Sequence, residues 1–153
     1  MKILSIGEVL WDRYINDEYI GGAPFNFSVN ANRLGHKVYF ISAVGDDKRG
    51  REILRYIYEN GLSRKFIHKV ENYPTGYVDV IIDDDGLPTY SIHRPAAYDF
   101  PLLNSEQVND IISFQPDWLY FGTVQQMSVF ARELTCNLID VLPKTRRFYD
   151  MNL

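Results

Sequence analysis

Short apolar runs that stop at a glycine and give way to helix constrain this chain most. KILSIG (2–7) is such a run, and its character suits a buried strand. RYINDEYI (13–20) supplies two shorter β-like pieces around Asn16-Asp17. A helix is predicted over 24–34, with Pro24 in its first turn and Gly35 at its carboxyl-terminal stop. KVYFISAV (37–44) repeats the buried-strand pattern. Gly45-Asp46-Asp47 then opens a second helix, with Asp46 the expected N-cap, Ile53, Leu54 and Ile57 on one face, and Gly61 at the end. Strand, glycine turn and helix in alternation predict an α/β fold around a mostly parallel sheet.

The middle of the chain departs from that rhythm. TGYVDVIIDDDGLPTYSIHR (75–94) reads as two strands meeting at Asp85-Gly86, a hairpin turn pair. With those residues at the turn centre, Ile82 faces Thr89, Val80 faces Ser91 and Tyr77 faces Arg94. One face then carries Tyr77, Asp79, Ile81, Tyr90, Ile92 and Arg94, and the other Val78, Val80, Ile82, Thr89, Ser91 and His93. Both faces come out mixed, as expected of a hairpin that covers something or pairs with another chain. After Pro101 the α/β rhythm returns. A helix capped by Asn104 or Ser105 runs to about Ser113, a strand from Asp117 to Phe121 stops at Gly122, and a helix spans Met127 to Val141. RRFYDMNL (146–153) is a last strand. A chain that stops on such a strand is expected to be the front part of something longer.

With 153 residues, 46% hydrophobic and 24% charged, the sequence has the composition of a folded domain rather than a disordered segment. A net charge of −4 and the lack of any basic cluster denser than Lys144–Arg147 exclude a nucleic-acid surface. The single cysteine, Cys136, has no internal disulfide partner, and its neighbours Leu134, Leu138 and Ile139 predict a buried structural thiol. MKILSIGEVLWD carries Glu8 where a signal peptide would be apolar, and no run approaches the roughly 18 apolar residues a membrane span requires. A cytoplasmic protein without a membrane partner is expected.

Several residues could carry chemistry. Asp12 follows the first strand, where a carboxylate accepts hydrogen bonds from a polyol or simply lies in a solvated turn. Asn26 offers both a donor and an acceptor, which suits a sugar hydroxyl; otherwise it satisfies backbone near the helix start. Gly21 and Gly22 permit close approach to the backbone, or form a tight turn. Arg94 reaches either a substrate oxygen or a neighbouring acid such as Asp79 or Asp99, the ion pair being favoured. Asp83 to Asp85 are turn formers, and His36, His68 and His93 lack ligand spacing, so no metal site is expected. GxSxG, Walker A and GxGxxG are absent.

Together these residues resemble a known family. GGAPFNFSVNANRLG (21–35), followed by the glycine of SAVGDDKRG, is similar to the amino-terminal signature of the ribokinase-like sugar kinases, the PfkB carbohydrate kinases. The resemblance extends through GEVLWD, YPTGYVDVIIDDDGLPTYSIHRPAAYDF, LYFGTV and FYDMNL, covering essentially all 153 residues. Its D-x-N-L element is nearest the fructokinase-like branch. It implies a mostly parallel sheet flanked by helices, with a small β-sheet lid at about 13–20 and 75–94, the whole of 1–153 forming the amino-terminal portion of one sugar-kinase domain. By position, Asp12, Gly21, Gly22 and Asn26 match sugar-contacting residues, the glycines letting the sugar sit against the backbone. Arg94 matches a lid-end arginine that contacts substrate in some members, and Asp150 and Asn152 match the floor between sugar and nucleotide.

The implied reaction is transfer of the γ-phosphoryl group of ATP, with Mg²⁺, to a hydroxyl of fructose or a similar ketose. The family's base is the aspartate of a D-T-x-G-A-G-D motif, which also forms an anion hole, and no such motif occurs in this sequence. The 153-residue chain alone is therefore expected to be catalytically inactive. Two alternatives stay open: a non-catalytic module that binds sugar or forms a homodimer through its lid, and a nucleoside kinase.

Overall fold

Two sheets divide the strands of this chain in the computed structural model, which describes residues 1–83 and 85–151. In chain order the elements are β1 (Lys2–Ile6), β2 (Leu10–Arg13), β3 (Glu18–Gly21), α1 (Ala23–Arg33), β4 (Lys37–Gly45), α2 (Lys48–Glu59), β5 (Ile67–Val70), β6 (Tyr77–Ile82) and β7 (Pro88–Ile92). A 3₁₀ turn (Ala97–Asp99), α3 (Ser105–Phe114), β8 (Trp118–Gly122), α4 (Thr123–Gln126), α5 (Val129–Val141) and β9 (Arg146–Asp150) complete them. The larger sheet runs β5-β4-β1-β8-β9 with every pair parallel. The smaller runs β3-β2-β6-β7, with β2 and β6 parallel and the outer pairs antiparallel.

Helices cover both faces of the larger sheet, as a parallel sheet demands. Ile3, Val38 and Phe40 pack with Phe25 and Val29 of α1 and Ile53 and Ile57 of α2. On the other face Leu4, Ile6, Ile41 and Leu119 pack with Ile111 of α3 and Leu138 of α5. The smaller sheet extends beyond the carboxyl ends of the larger one, because β1 leaves the first sheet at Ile6 and re-emerges as β2 in the second. The α/β fold with a small β-sheet lid is thus as the sequence implies.

Four local expectations need correction. The hairpin pairs Ile82 with Pro88, Val80 with Tyr90 and Val78 with Ile92, one residue out of the expected register. Asp83 holds a longer turn: its N–H donates to the Leu87 carbonyl at 3.1 Å, its Oδ1 accepts the Leu87 N–H at 2.8 Å, and Gly86 sits at φ 79°. Asp84 lies outside the described residues. The slip gathers Val78, Val80, Ile82, Tyr90 and Ile92 on one apolar face, because the side-chain period of a strand is two. The hairpin is therefore two-faced and not mixed.

The cap of α2 is Asp47, not Asp46. Asp47 Oδ1 accepts from Gly50 N–H at 2.7 Å and from Thr75 Oγ1 at 2.8 Å, while Oδ2 accepts from Thr75 N–H at 2.8 Å. Thr75 Oγ1 in turn accepts from Gly45 N–H at 2.9 Å, so one carboxylate ties β4 and α2 to the strand that starts the hairpin. Asp46 instead pairs with Lys69 at 2.8 Å. Cys136 is exposed, because α5 turns Ala131, Thr135 and Leu138 inward and Cys136 follows Thr135 by about 100° of rotation. Finally, β5 and α4 are elements that the sequence pattern did not single out; each is only four residues long.

Asp47→Ala is expected to cost about 2–3 kcal/mol in denaturant unfolding, since it removes a cap and charged hydrogen bonds together, whereas Asp46→Ala should stay within about 0.5 kcal/mol. Burial favours the neutral Asp47 acid, but the Thr75 and Gly50 N–H groups and the Thr75 hydroxyl outweigh it and lower its pKa below 3.8. Its contribution is therefore present above pH 3.8 and lost as pH falls through the lower folded value. Equal costs for the two variants would refute the assignment. Cys136 should react with a thiol reagent in the native protein at a rate near that of the unfolded chain; protection would contradict its exposure.

Candidate functional site

At the carboxyl end of β1 the chain runs through Gly7, Glu8 and Val9 into β2. Gly7 N–H still bonds the Ile41 carbonyl of β4 at 3.2 Å, and Trp11 N–H already bonds the Gly76 carbonyl beside β6 at 3.0 Å. The turn from β3 into α1 lies directly against this crossing. A Cβ on Gly22 would stand 2.5 Å from the Glu8 carbonyl oxygen, and Gly22 has φ 108°, so only glycine fits. A Cβ on Gly21 would lie 2.1 Å from Asp12 Oδ2. The space left by the glycine pair is thus filled by the protein's own oxygens, and its effect is to let the Asp12 carboxylate lie over the backbone.

Asp12 sits on the apolar face of the smaller sheet, paired with Tyr19 on β3 and Val78 on β6, with Ile92 one strand further. It is half-buried, burial raises its pKa above 3.8, and its carboxylate has no hydrogen bond or ion pair among the described residues. Asn26 is exposed in the first turn of α1. Its backbone N–H donates to the Gly22 carbonyl at 2.9 Å, and its side-chain amide makes no bond within the described residues. The helix start therefore does not consume it. Asp12 thus lies against Gly21, and the next residue, Gly22, accepts the Asn26 N–H at the start of α1.

Arg94 turns the other way. Its Nη2 pairs with Asp99 Oδ1 at 2.6 Å and its Nη1 donates to the Val124 carbonyl at 2.5 Å, with Asp99 4% and Arg94 19% exposed. This is the ion pair that the sequence favoured, with Asp99 as the partner; Asp79 bonds Arg13 and His93 instead. The pair belongs to a buried polar cluster that the sequence reading missed. Glu8 is 3% exposed, and its Oε2 has no hydrogen-bond partner. Burial raises its pKa above 4.5, opposed by the N–H groups of Glu8, Ala23 and Gln125 and by the Arg94 charge. Gln125 Nε2 donates to the Tyr98 carbonyl at 2.9 Å, and Ser128 Oγ donates to the Asp99 carbonyl at 2.5 Å. A glutamate directly after a strand-ending glycine was the available signal.

Asp150 closes β9 and accepts a hydrogen bond from Tyr120 Oη at 2.5 Å. Tyr120 stacks on Phe27 of α1 with ring centroids 4.0 Å apart, so Asp150 connects through two rings to the residue beside Asn26. Asn152 lies outside the described residues. Among the described residues no group of three or more His, Cys, Asp or Glu side chains is arranged to hold a metal ion. A concavity lined by Met1, Asp117, Trp118 and Pro143 opens at the amino ends of β1 and β8, the far end of the sheet from Asp12.

Known proteins resemble this chain in sequence and in fold. The family model described as pfkB family carbohydrate kinase matches residues 7–152. A fructokinase from Vibrio alginolyticus is 31% identical over 121 residues, 78% of this chain and 38% of the relative. An ATP-dependent 6-phosphofructokinase from Thermoanaerobacterium thermosaccharolyticum is 29% identical over 107 residues, 63% of this chain and 33% of the relative. Among solved structures, an uncharacterized sugar kinase from Pyrococcus horikoshii superposes with a TM-score of 0.85 at 27% identity, covering 99% of this chain and 55% of that one. The chain therefore spans about half the length of that structure and a smaller share of the curated relatives. Family model, relatives and fold agree: this chain belongs to the pfkB family of carbohydrate kinases.

Proposed function

We propose that the complete protein transfers a phosphoryl group from ATP to a hydroxyl of fructose or a similar ketose, and that this chain supplies the sugar-binding and lid part of a cytoplasmic enzyme. The observation that carries the reading is Asp12: a half-buried carboxylate with no partner among the described residues, held over Gly21 on the lid face. An ionised carboxylate in a partly apolar surface is a strong acceptor for paired hydroxyls. Asn26, exposed in the first turn of α1, adds a donor and an acceptor. Tyr19 and Ile92, exposed on the same face as Asp12, suit the C–H face of a sugar and exclude water when the lid is down.

ATP and Mg²⁺ enter as the co-substrate. The described residues offer no set of metal-ligating side chains, so this chain's contribution is to hold and orient the acceptor hydroxyl. With no D-T-x-G-A-G-D base in the sequence, the chain alone is not a catalyst. The apolar lid face also supports a second role. Ile82, Tyr90 and Ile92 stay exposed along the hairpin, and burying them against a second lid would form a homodimer.

Calorimetry of the 153-residue chain against a panel of sugars and nucleosides tests the first reading. Fructose or a related ketose should bind and nucleosides should not. Asp12→Asn and Asn26→Ala should weaken binding roughly tenfold or more, the effect of deleting a hydrogen bond to a charged or polar partner. Gly21→Ala should weaken it similarly by displacing the Asp12 carboxylate. Sugar and MgATP together should yield no ADP. Unchanged affinity in Asp12→Asn would sink the site assignment, and nucleoside binding would move the protein to the nucleoside kinases. For the lid, sedimentation of the wild type and of Ile92→Lys should separate a dimer from a monomer; identical monomeric profiles would remove the lid contact.

A further inference from the structure

The face of the lid opposite Asp12 is fastened to the first turn of α2. Side chains alternate along a strand, so Trp11 and Arg13 of β2 lie on that face while Asp12 between them does not. Arg13 stands opposite Glu18 on β3, and Trp11 stands opposite Tyr77 on β6. Arg49 of α2 meets all three strands. Its Nη2 pairs with Glu18 Oε2 at 2.6 Å, its guanidinium carbon lies 5.4 Å from the centre of the Tyr77 ring, and its backbone carbonyl accepts from Trp11 Nε1–H at 3.4 Å. Beside these contacts Trp11 is buried in the core cluster that holds Ile53 and Ile57 of α2, with Ile20 and Tyr77 packed against it. The other polar groups of this face have partners of their own: Asp79 bonds Arg13 and His93, and the His93 ring stacks on Tyr77 with centroids 4.3 Å apart. The Asp47–Thr75 bonds fasten the same turn of α2 to the segment that leads into β6. Helix α2 therefore holds the lid at two points, and Arg49 supplies the one on the β2–β3 side.

We propose that Arg49 is a positioning residue: paired with Glu18 and lying over Tyr77, it clamps the β2–β3 limb of the lid to α2, and so holds the Asp12 carboxylate, on the opposite face of that limb, in place for a sugar that Arg49 itself does not touch. This inference rests on the sugar-site reading above. Asp12 and the Gly21 it lies against both belong to the limb, and β3 is an edge strand of four residues bonded to β2 alone. Short edge strands open locally at small cost. A tie at Glu18, the first residue of β3, keeps Tyr19 and Gly21 in register with Asp12 and Leu10. The planar guanidinium suits both of its partners, a carboxylate and an aromatic face. Affinity for the sugar then scales with the fraction of molecules whose limb is seated on α2.

Arg49→Glu, Glu18→Arg and the double variant that exchanges the two charges test the proposal by two measurements on the 153-residue chain. The first needs no sugar. Hydrogen exchange is followed by NMR at the β3 amides and at the Trp11 indole N–H, whose acceptor, the Arg49 backbone carbonyl, survives the substitution. Each single variant sets like charges against each other, so exchange at both places should quicken about fivefold while the β1 amides keep their rate; in the double variant it should return toward the wild-type rate. The second measurement is fructose affinity by calorimetry. Each single variant should bind roughly threefold more weakly or worse, and the double variant should recover. Unchanged exchange in both single variants would overturn the clamp. Quickened exchange with unchanged affinity would mark Arg49 as merely structural, and a double variant that recovers neither property would show that the two residues do not act as a pair; either result overturns the proposal. A wild type that binds no sugar, with exchange responding as expected, would refute the sugar reading and the positioning role with it, and leave the clamp between α2 and β3 standing.

Discussion

The crossing of residues 8–12 over residues 21–23 is the contact on which the rest of this architecture depends. At that point the chain hands one strand from the larger sheet to the lid, and a glycine pair lets two backbones approach within van der Waals distance. Any side chain at Gly22 would push α1 away from the Glu8 carbonyl, and any side chain at Gly21 would eject the Asp12 carboxylate. Both consequences act on the same surface. Sheet, lid and helix therefore meet at a single joint, and the candidate site is the exposed side of that joint.

Much of this was legible in the sequence because it follows from local rules. Apolar runs ending in glycine gave the parallel strands, and Pro24 with Gly35 bounded α1 to within a residue or two. Asp12, Gly21, Gly22 and Asn26 stood out by type and spacing, and the first three do touch one another through Glu8 and Asp12. What was not legible depended on long-range partners. Asp46 and Asp47 are equivalent as candidate caps until Thr75, 28 positions beyond Asp47, selects the second. Glu8 looked like an ordinary strand-end acid because nothing nearby in sequence announces Gln125 or Arg94.

The hairpin shows how small a local error can be and still change a conclusion. A turn longer by one residue, stabilised by Asp83 and Gly86, moves every side chain of β7 to the opposite face. In the expected register both faces were mixed and said little about orientation. In the observed one Val78 and Val80 of β6 pack with Leu10, Ala96 and Tyr98, while Ile82 and, across on β7, Tyr90 and Ile92 leave the apolar face exposed. The opposite face is polar and already self-satisfied: Asp79 bonds both Arg13 and His93, and the Tyr77 ring lies against His93 and beneath Arg13. That asymmetry distinguishes the two sides of the lid.

Electrostatics carries the last step. Glu8, Asp12 and Asp99 cluster around one joint, and burial raises the pKa of each. Only Asp99 has a cation in direct contact, and its Arg94 partner is fully engaged by that pair and the Val124 carbonyl. A sequence selected for stability alone would replace the other two with neutral residues, since a raised carboxylate pKa means that ionisation at neutral pH works against the folded state. The two acids divide naturally by exposure. Asp12 is half-buried, where a polyol could repay its desolvation by donating hydrogen bonds, whereas Glu8 is 3% exposed and closed to any such donor. The glycine pair is what allows the two carboxylate-bearing residues, four positions apart, to pack against a single turn.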